Sequence, residues 1–145
     1  MHITRYTDYS LRVLMYIALK GDQLSTIREI SDSYGISKNH LMKVVHQLTV
    51  NGYLIAQRGK HGGLRLNGRP KDIKIGDLVR DTEQDRVLVE CFGVNDNCVI
   101  SPACTLKSVF ADALEAFFKV LDKHTLADLL PANRKPKLLR LLEIA

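Results

Sequence analysis

No apolar run in the 145-residue chain approaches the ~20 residues that a helix needs to cross a bilayer. Nor does an apolar stretch follow the N-terminal Met1-His2-Ile3-Thr4-Arg5, so no signal peptide is expected and the cytoplasm is the expected location. Cysteine is scarce. Three residues, an odd number, argue against the disulfide framework of a small secreted domain and turn attention to metal or redox chemistry. Internal repeats and low-complexity segments are missing. So are the signatures of catalysis: there is no nucleophile–base motif, no phosphate-binding glycine loop after a strand and no paired histidine ligands. His46 and His124 stand singly and read as surface or packing residues. A protein that is not an enzyme is expected.

What remains is ordinary globular composition, 46% apolar and 26% charged, enough for one compact domain or two very small ones. A chain of this size hides roughly two thirds of its unfolded surface on folding. The charge is unevenly placed. Residues 1–72 hold eleven Lys/Arg against five Asp/Glu, whereas residues 73–145 hold ten against eleven. Four of the five histidines also lie in the first part. A basic half beside a near-neutral one suits an anionic partner, of which nucleic acid is the commonest.

The spacing of apolar residues predicts mainly α structure with one small β-hairpin. A first helix carries Leu11, Leu14, Met15, Ala18 and Leu19, with Thr7 or Asp8 as its expected cap and Gly21-Asp22 as its end. Ser25 or Thr26 starts a short second helix, Ile27–Tyr34, stopped by Gly35. Ser37 caps a third, with Leu41, Val44, Val45 and Leu48 on one face and Asn51-Gly52 at its close. Two short helices around a glycine turn form a helix-turn-helix. The period then changes. Tyr53-Leu54-Ile55-Ala56 and Leu64-Arg65-Leu66 read as strands around a Gly- and Lys-rich tip, which makes a winged helix. A further short helix is expected over 75–83. The longest periodic segment, Leu106–Leu121, has two apolar stripes. One comprises Leu106, Val109/Phe110, Ala113, Phe117 and Val120; the other comprises Ala111, Leu114, Phe118 and Leu121. A helix apolar around so much of its girth needs cover on two sides, its own chain on one and a second copy on the other. The last segment, 131–145, is expected to dock through Leu138, Leu139, Leu141 and Leu142. The expected organisation is a winged helix-turn-helix DNA-binding domain over 1–72, a connecting helix and cysteine loop over 73–105, and a long dimerisation helix with a C-terminal helical segment over 106–145.

On DNA, the second helix of such a motif enters the major groove and its N-terminal residues meet base edges. Here these are Ser37, Lys38, Asn39, His40 and Lys43; Asn can pair bidentately with adenine, and Lys can donate to guanine or phosphate. The wing tip, Arg58 with Gly59, Lys60, His61, Gly62 and Gly63, can follow the minor groove. Arg28 on the preceding helix is placed to reach phosphate.

The cysteines are spaced Cys91-x6-Cys98-x5-Cys104. The C-x2-C pairs of structural zinc and the C-x2-C-x2-C of ferredoxins are both absent. Three thiols within fourteen residues rich in Gly, Asn and Asp can nevertheless converge on one metal centre. Cys104, just after Pro102, is expected in the first turn of the long helix, where the dipole favours a thiolate. A fourth ligand is not evident nearby.

These pieces together resemble the dimeric winged-helix repressors that carry an iron–sulfur cluster. The resemblance runs over nearly the whole chain. It rests on Ile3-Thr4 with Tyr6-Thr7-Asp8-Tyr9-Ser10-Leu11-Arg12, on Ser37-Lys38-Asn39-His40, on the wing at 58–63, on the three cysteines, and on Thr125-Leu126-Ala127-Asp128-Leu129. Within the family, the branch that regulates cluster assembly binds a 2Fe-2S cluster with a histidine three residues after the third cysteine. Lys107 stands there in this chain. The closer resemblance is to the nitric-oxide-sensing branch, through Thr7-Asp8-Tyr9 and Ala103-Cys104-Thr105-Leu106-Lys107. It implies one 4Fe-4S cluster per subunit held by Cys91, Cys98 and Cys104, with Asp8 from the partner subunit as fourth ligand. It further implies Arg12 and Glu83 near the cluster, nitric oxide as effector, a double-stranded operator, and repression of genes for nitric-oxide detoxification. The six-residue gap between the first two cysteines departs from that family, where five or fewer is more usual. Two other readings use the same residues: a 2Fe-2S regulator of cluster assembly, and a zinc- or thiol-redox-dependent repressor.

Overall fold

A computed structural model describes residues 2–145. Helix α1, Arg5–Lys20, is capped by Thr4, which has an extended backbone and accepts the Thr7 N–H at its hydroxyl. The expected caps Thr7 and Asp8 therefore lie inside the helix. The start moves upstream because the Glu83 carboxylate takes both the N–H and the hydroxyl proton of Thr4, at 2.7 and 2.9 Å, and so fixes Thr4 ahead of the first turn. Val13, Leu14 and Ile17 then point into the core.

Helix α2, Ile27–Tyr34, opens on a capping box formed by Thr26 and Glu29. It stops at Gly35, whose φ of 65° and ψ of 30° are left-handed and cost an L side chain energy. Helix α3, Lys38–Val50, is capped by Ser37 and buries Leu41, Val44, Val45 and Leu48 against α1 and α2. Strands β1, Leu54–Gln57, and β2, Gly63–Leu66, pair antiparallel with Leu54 opposite Leu66 and Gln57 opposite Gly63. Ser25 adds a bridge to this hairpin: its N–H donates to the Leu64 carbonyl at 3.0 Å, and the Leu64 N–H donates back at 2.7 Å. The approach is close enough that a Cβ on Gly63 would meet Leu24 Cβ and the Ser25 carbonyl oxygen at 2.9 Å. The wing is thus pinned at its base to the entry of α2.

Helix α4, Ile75–Thr82, leads back to the core through Ile75, Leu78 and Val79. The chain from 83 to 105 holds only two single 3-10 turns, Glu90–Phe92 and Ser101–Ala103. Helix α5 then spans Leu106–Leu121. Its end is joined to the start of α4 by backbone bonds from Ile75 N–H to His124 O (3.0 Å) and from Leu126 N–H to Ile73 O (2.8 Å). Arg80 adds a bidentate pair with Asp122 at 2.7 and 2.8 Å, and its guanidinium lies 4.5 Å from the Phe118 ring centroid. Gly76 makes room for this joint, since any Cβ there would collide with the Asp122 carboxylate. Helix α6, Lys135–Leu141, docks as the spacing predicts, with Leu142 buried and its carbonyl accepting the Ser33 hydroxyl at 2.9 Å; Leu141 itself stays exposed.

The two stripes of α5 have different fates. Phe118 is buried, and Leu114 and Leu121 pack beside it on the core. Leu106, Val109, Phe117 and Val120 remain 55, 58, 38 and 55% exposed. Among the described residues, no helix is long and apolar enough to cross a membrane. Phe118 is the one residue of α5 that is buried. Phe118→Ala is expected to lower chain stability by ~3 kcal/mol, the range for a truncated core aromatic. Denaturant unfolding checks it, and a loss under ~1 kcal/mol would contradict the packing described.

Candidate functional site

The first half presents its polar residues on one motif. Ser37 accepts the His40 N–H at 3.3 Å, which starts α3 and leaves Lys38, Asn39 and His40 exposed in its first turn, with Lys43 exposed in the next. The buried face of α3 fixes the rotation of the helix, so these side chains face away from the core. Arg58, Lys60 and His61 are exposed in the turn between the strands, while Gly62 and Gly63 are half-buried at its base. Arg28 is exposed on α2 and only loosely paired to Asp32 at 3.9 Å. None of the lysines and arginines at 38, 43, 58 and 60 makes an ion pair among the described residues, so their charge is free for an anionic partner.

Asp8 sits on α1 with Arg12 one turn away, joined by contacts of 2.7 and 3.1 Å. Both side chains are more than 40% exposed, so water screens the pair and it contributes only about 0.3–0.5 kcal/mol. The Arg12 guanidinium also lies 5.8 Å from the Tyr9 ring centroid and 5.9 Å from that of Tyr34. Burial pushes the Tyr34 hydroxyl up to about 12, so the ring meets Arg12 as a neutral aromatic face. Tyr9 in turn stands 6.3 Å from His40, the third residue of α3. Asp8 is therefore held lightly, in a cluster that reaches the first turn of α3.

Glu83, which the resemblance implies near the cluster, lies against the start of α1 in this chain. It is buried at the end of α4, where it receives both donors of Thr4. The Thr7 hydroxyl donates to Thr82 Oγ1 at 2.9 Å alongside it. No spacing in the sequence signals this clamp between residues 79 positions apart.

The cysteines lie in the segment between α4 and α5. Cys91 and Cys104 line one open cleft of about 1170 Å³, with Phe92, Arg86 and Lys107 also in its walls and Phe118 at its base. Cys98 is exposed and outside that cleft, on a limb where Val94 and Val99 are almost wholly in water. Asp96 holds this limb. It accepts the Ser101 hydroxyl at 2.8 Å and the Cys98 N–H at 3.1 Å, and it stands 3.7 Å from Lys107 Nζ. The Ser101 bond, the Cys98 bond and then the Lys107 charge hold its carboxyl below the ordinary carboxylate value. Cys104 precedes α5, whose cap is Thr105, so the expected place in the first helical turn is corrected: the 3-10 turn Ser101–Ala103 ends on Cys104 and delays the helix. Among the described residues, no three His, Cys, Asp or Glu side chains are gathered closely enough to hold a metal ion.

The donor set still fits a soft metal centre in kind. Three thiols suit iron in a cluster, two of them already share one cleft, and Arg86 and Lys107 in its walls would offset the negative charge of thiolate ligands. Lys107 stands 3.7 Å from the Asp96 carboxylate.

Residues 3–132 match a family model described as Rrf2, iron-dependent transcriptional regulator. The chain is 51% identical over 146 aligned positions to the HTH-type transcriptional regulator NsrR of Bacillus subtilis (strain 168), covering 99% of each. Among solved structures, it is similar to CymR, the global cysteine regulator of B. subtilis, with a TM-score of 0.72 at 25% identity over 89% of this chain and 95% of that one. It is also similar to IscR of T. potens, with a TM-score of 0.70 at 25% identity over 90% and 86% of the two chains.

The Glu83 clamp generates a pH dependence. Burial alone would push its carboxyl up, but the bonds donated by the N–H and the hydroxyl of Thr4 outweigh this and hold it below the ordinary 4.5. With the folded value depressed, its contribution to stability is fully present above 4.5 and is lost as the pH falls through the folded value. Glu83→Gln should cost ~1–2 kcal/mol at neutral pH and flatten the acid limb of stability against pH. Urea midpoints taken across the acid range check this, and curves that run parallel for variant and wild type would contradict it.

Proposed function

The chain belongs to the Rrf2 family of iron-dependent transcriptional regulators, and from that premise we propose that it is a cytoplasmic, DNA-binding repressor that acts as a homodimer and responds to nitric oxide. NsrR is the name of the nitric-oxide-sensing branch that the sequence resembles, and the identity to a regulator of that name extends over 99% of the chain. The observation that carries the reading is the pairing, in one small fold, of an exposed basic reading end on α3 with a three-cysteine segment abutting α5.

In this reading α3 of each copy enters the major groove, with Ser37, Lys38, Asn39, His40 and Lys43 at the bases and phosphates. The wing residues Arg58, Lys60 and His61 follow the adjacent minor groove, and Arg28 meets phosphate. The exposed stripe of α5 covers its counterpart in the second copy and sets the two α3 helices about one DNA turn apart.

Cys91, Cys98 and Cys104 would hold an iron–sulfur cluster, of the 4Fe-4S type by resemblance, with Asp8 of the partner subunit as its oxygen ligand. When bound, it supplies iron that a small diatomic molecule can attack at the position where the ligand is a hard oxygen and not a thiolate. The chain's own part is to make Asp8 available. The Asp8–Arg12 pair is weak enough to be given up, and Arg12 keeps its place between Tyr9 and Tyr34 when Asp8 leaves. Thr4 and Glu83 hold the start of α1, so Asp8 is presented from a fixed helix. Loss of the Asp8 tie frees one copy's α1 from the other's cysteine segment, and the set spacing of the reading helices is lost with it. A hundredfold fall in operator affinity needs only ~2.7 kcal/mol of difference between the two states.

Asp8→Ala is the direct test. Operator binding by the anaerobically purified protein should fall on the order of 100-fold when wild type is exposed to nitric oxide. The variant should begin weak and change little. Full nitric-oxide sensitivity in Asp8→Ala would overturn the mechanism.

A further inference from the structure

The polar side of α3 has one apolar member. Met42 is 56% exposed on a helix whose other apolar side chains in the first three turns, Leu41, Val44, Val45 and Leu48, are buried in the core. It follows Lys38 by four residues and Asn39 by three, adjoins Lys43 and precedes His46 by four, all of them exposed. Neighbours at these spacings share a helix face, so the exposed part of Met42 is bordered by polar and cationic groups. Among the described residues of the basic half, the exposed large apolar residues are Ile3, Met42 and Val50. Val50 ends the helix, about 16 Å along the axis from Asn39, beyond what a groove ~8.5 Å deep brings to the bases. Met42 is about 4.5 Å from Asn39 along the same axis, close to the spacing of one base step.

Resting on the reading of α3 as the major-groove helix, we propose that Met42 is a specificity-determining residue that contacts the C5-methyl group of a thymine in each half-site. The major groove presents hydrogen-bonding edges and a single apolar group, the thymine methyl. A flexible thioether in the midst of groups that hold phosphate and base edges has no other apolar surface to cover there. Lys38, Asn39 and Lys43 fix the register, and Met42 adds a preference for T over C at one position that no hydrogen bond supplies.

The test removes the methyl and nothing else. The duplex that the anaerobically purified wild-type chain selects from a random pool is resynthesised with deoxyuridine in place of each thymine in turn. At one thymine per half-site, affinity should fall about fourfold, and about 16-fold when both half-sites are changed. Met42→Ala should bind the thymine and uracil duplexes equally at that position, whereas Met42→Leu should keep most of the difference. Since the side chain is exposed, both variants should melt with wild type, and both should keep its affinity for unrelated DNA. A selected duplex in which no thymine shows a Met42-dependent loss overturns the proposal alone. Failure to select any duplex overturns the reading of α3 as a DNA surface, and the proposal with it.

Discussion

The long helix α5 carries more apolar surface than its own chain covers, and the rest of the architecture follows from how that imbalance is resolved. One side is spoken for. Phe118 enters the core, Leu114 and Leu121 flank it, and the Arg80–Asp122 pair over Gly76 locks the helix end to α4. The other side, from Leu106 to Val120, faces water with four large side chains in line. An apolar row of that length on a small protein marks an interaction surface. Because the joint with α4 is rigid, whatever covers the row is held in a set relation to the winged helix. In the proposed homodimer this is how two reading helices acquire one spacing.

The cysteine segment runs from the end of α4 to the start of α5, and its character is the reverse. It is short of buried side chains, has two isolated 3-10 turns, and is organised mainly by the one carboxylate of Asp96. Segments with few buried contacts are where a protein can change shape at low cost. The N-terminal turn of α1 is rigid by contrast, since Glu83 holds both donors of Thr4 and Thr82 receives Thr7. In the proposed homodimer, a firm helix carrying a loosely paired Asp8 would meet a pliable segment carrying thiols, a suitable pairing for a tie that forms and is lost.

Much of the fold was legible because its elements are bounded by local chemistry. The Thr26–Glu29 box, the left-handed Gly35 and the Ser37 cap mark α2 and α3 within a few residues of themselves, and Leu106–Leu121 shows both stripes by period alone. The start of α1 was less legible, since Thr4 owes its place to Glu83, a partner far along the chain. The same holds for the Arg80–Asp122 joint, where no periodicity links residue 80 to residue 122. At the candidate site, residue type and spacing pointed to the cysteines and to the first turn of α3. They did not reveal that Cys98 stands apart from Cys91 and Cys104, which the Asp96 turn dictates. Met42 carries no signal of its own in the sequence, because a methionine beside Leu41, Val44 and Val45 is told from core only by the rotation of α3.

The most direct test of the account is native mass spectrometry of anaerobically purified protein, before and after addition of nitric oxide. The account predicts a dimer carrying one four-iron cluster per chain, converted stepwise by nitric oxide while the chains stay paired. A monomer, a dimer holding zinc, or a two-iron cluster indifferent to nitric oxide would contradict it.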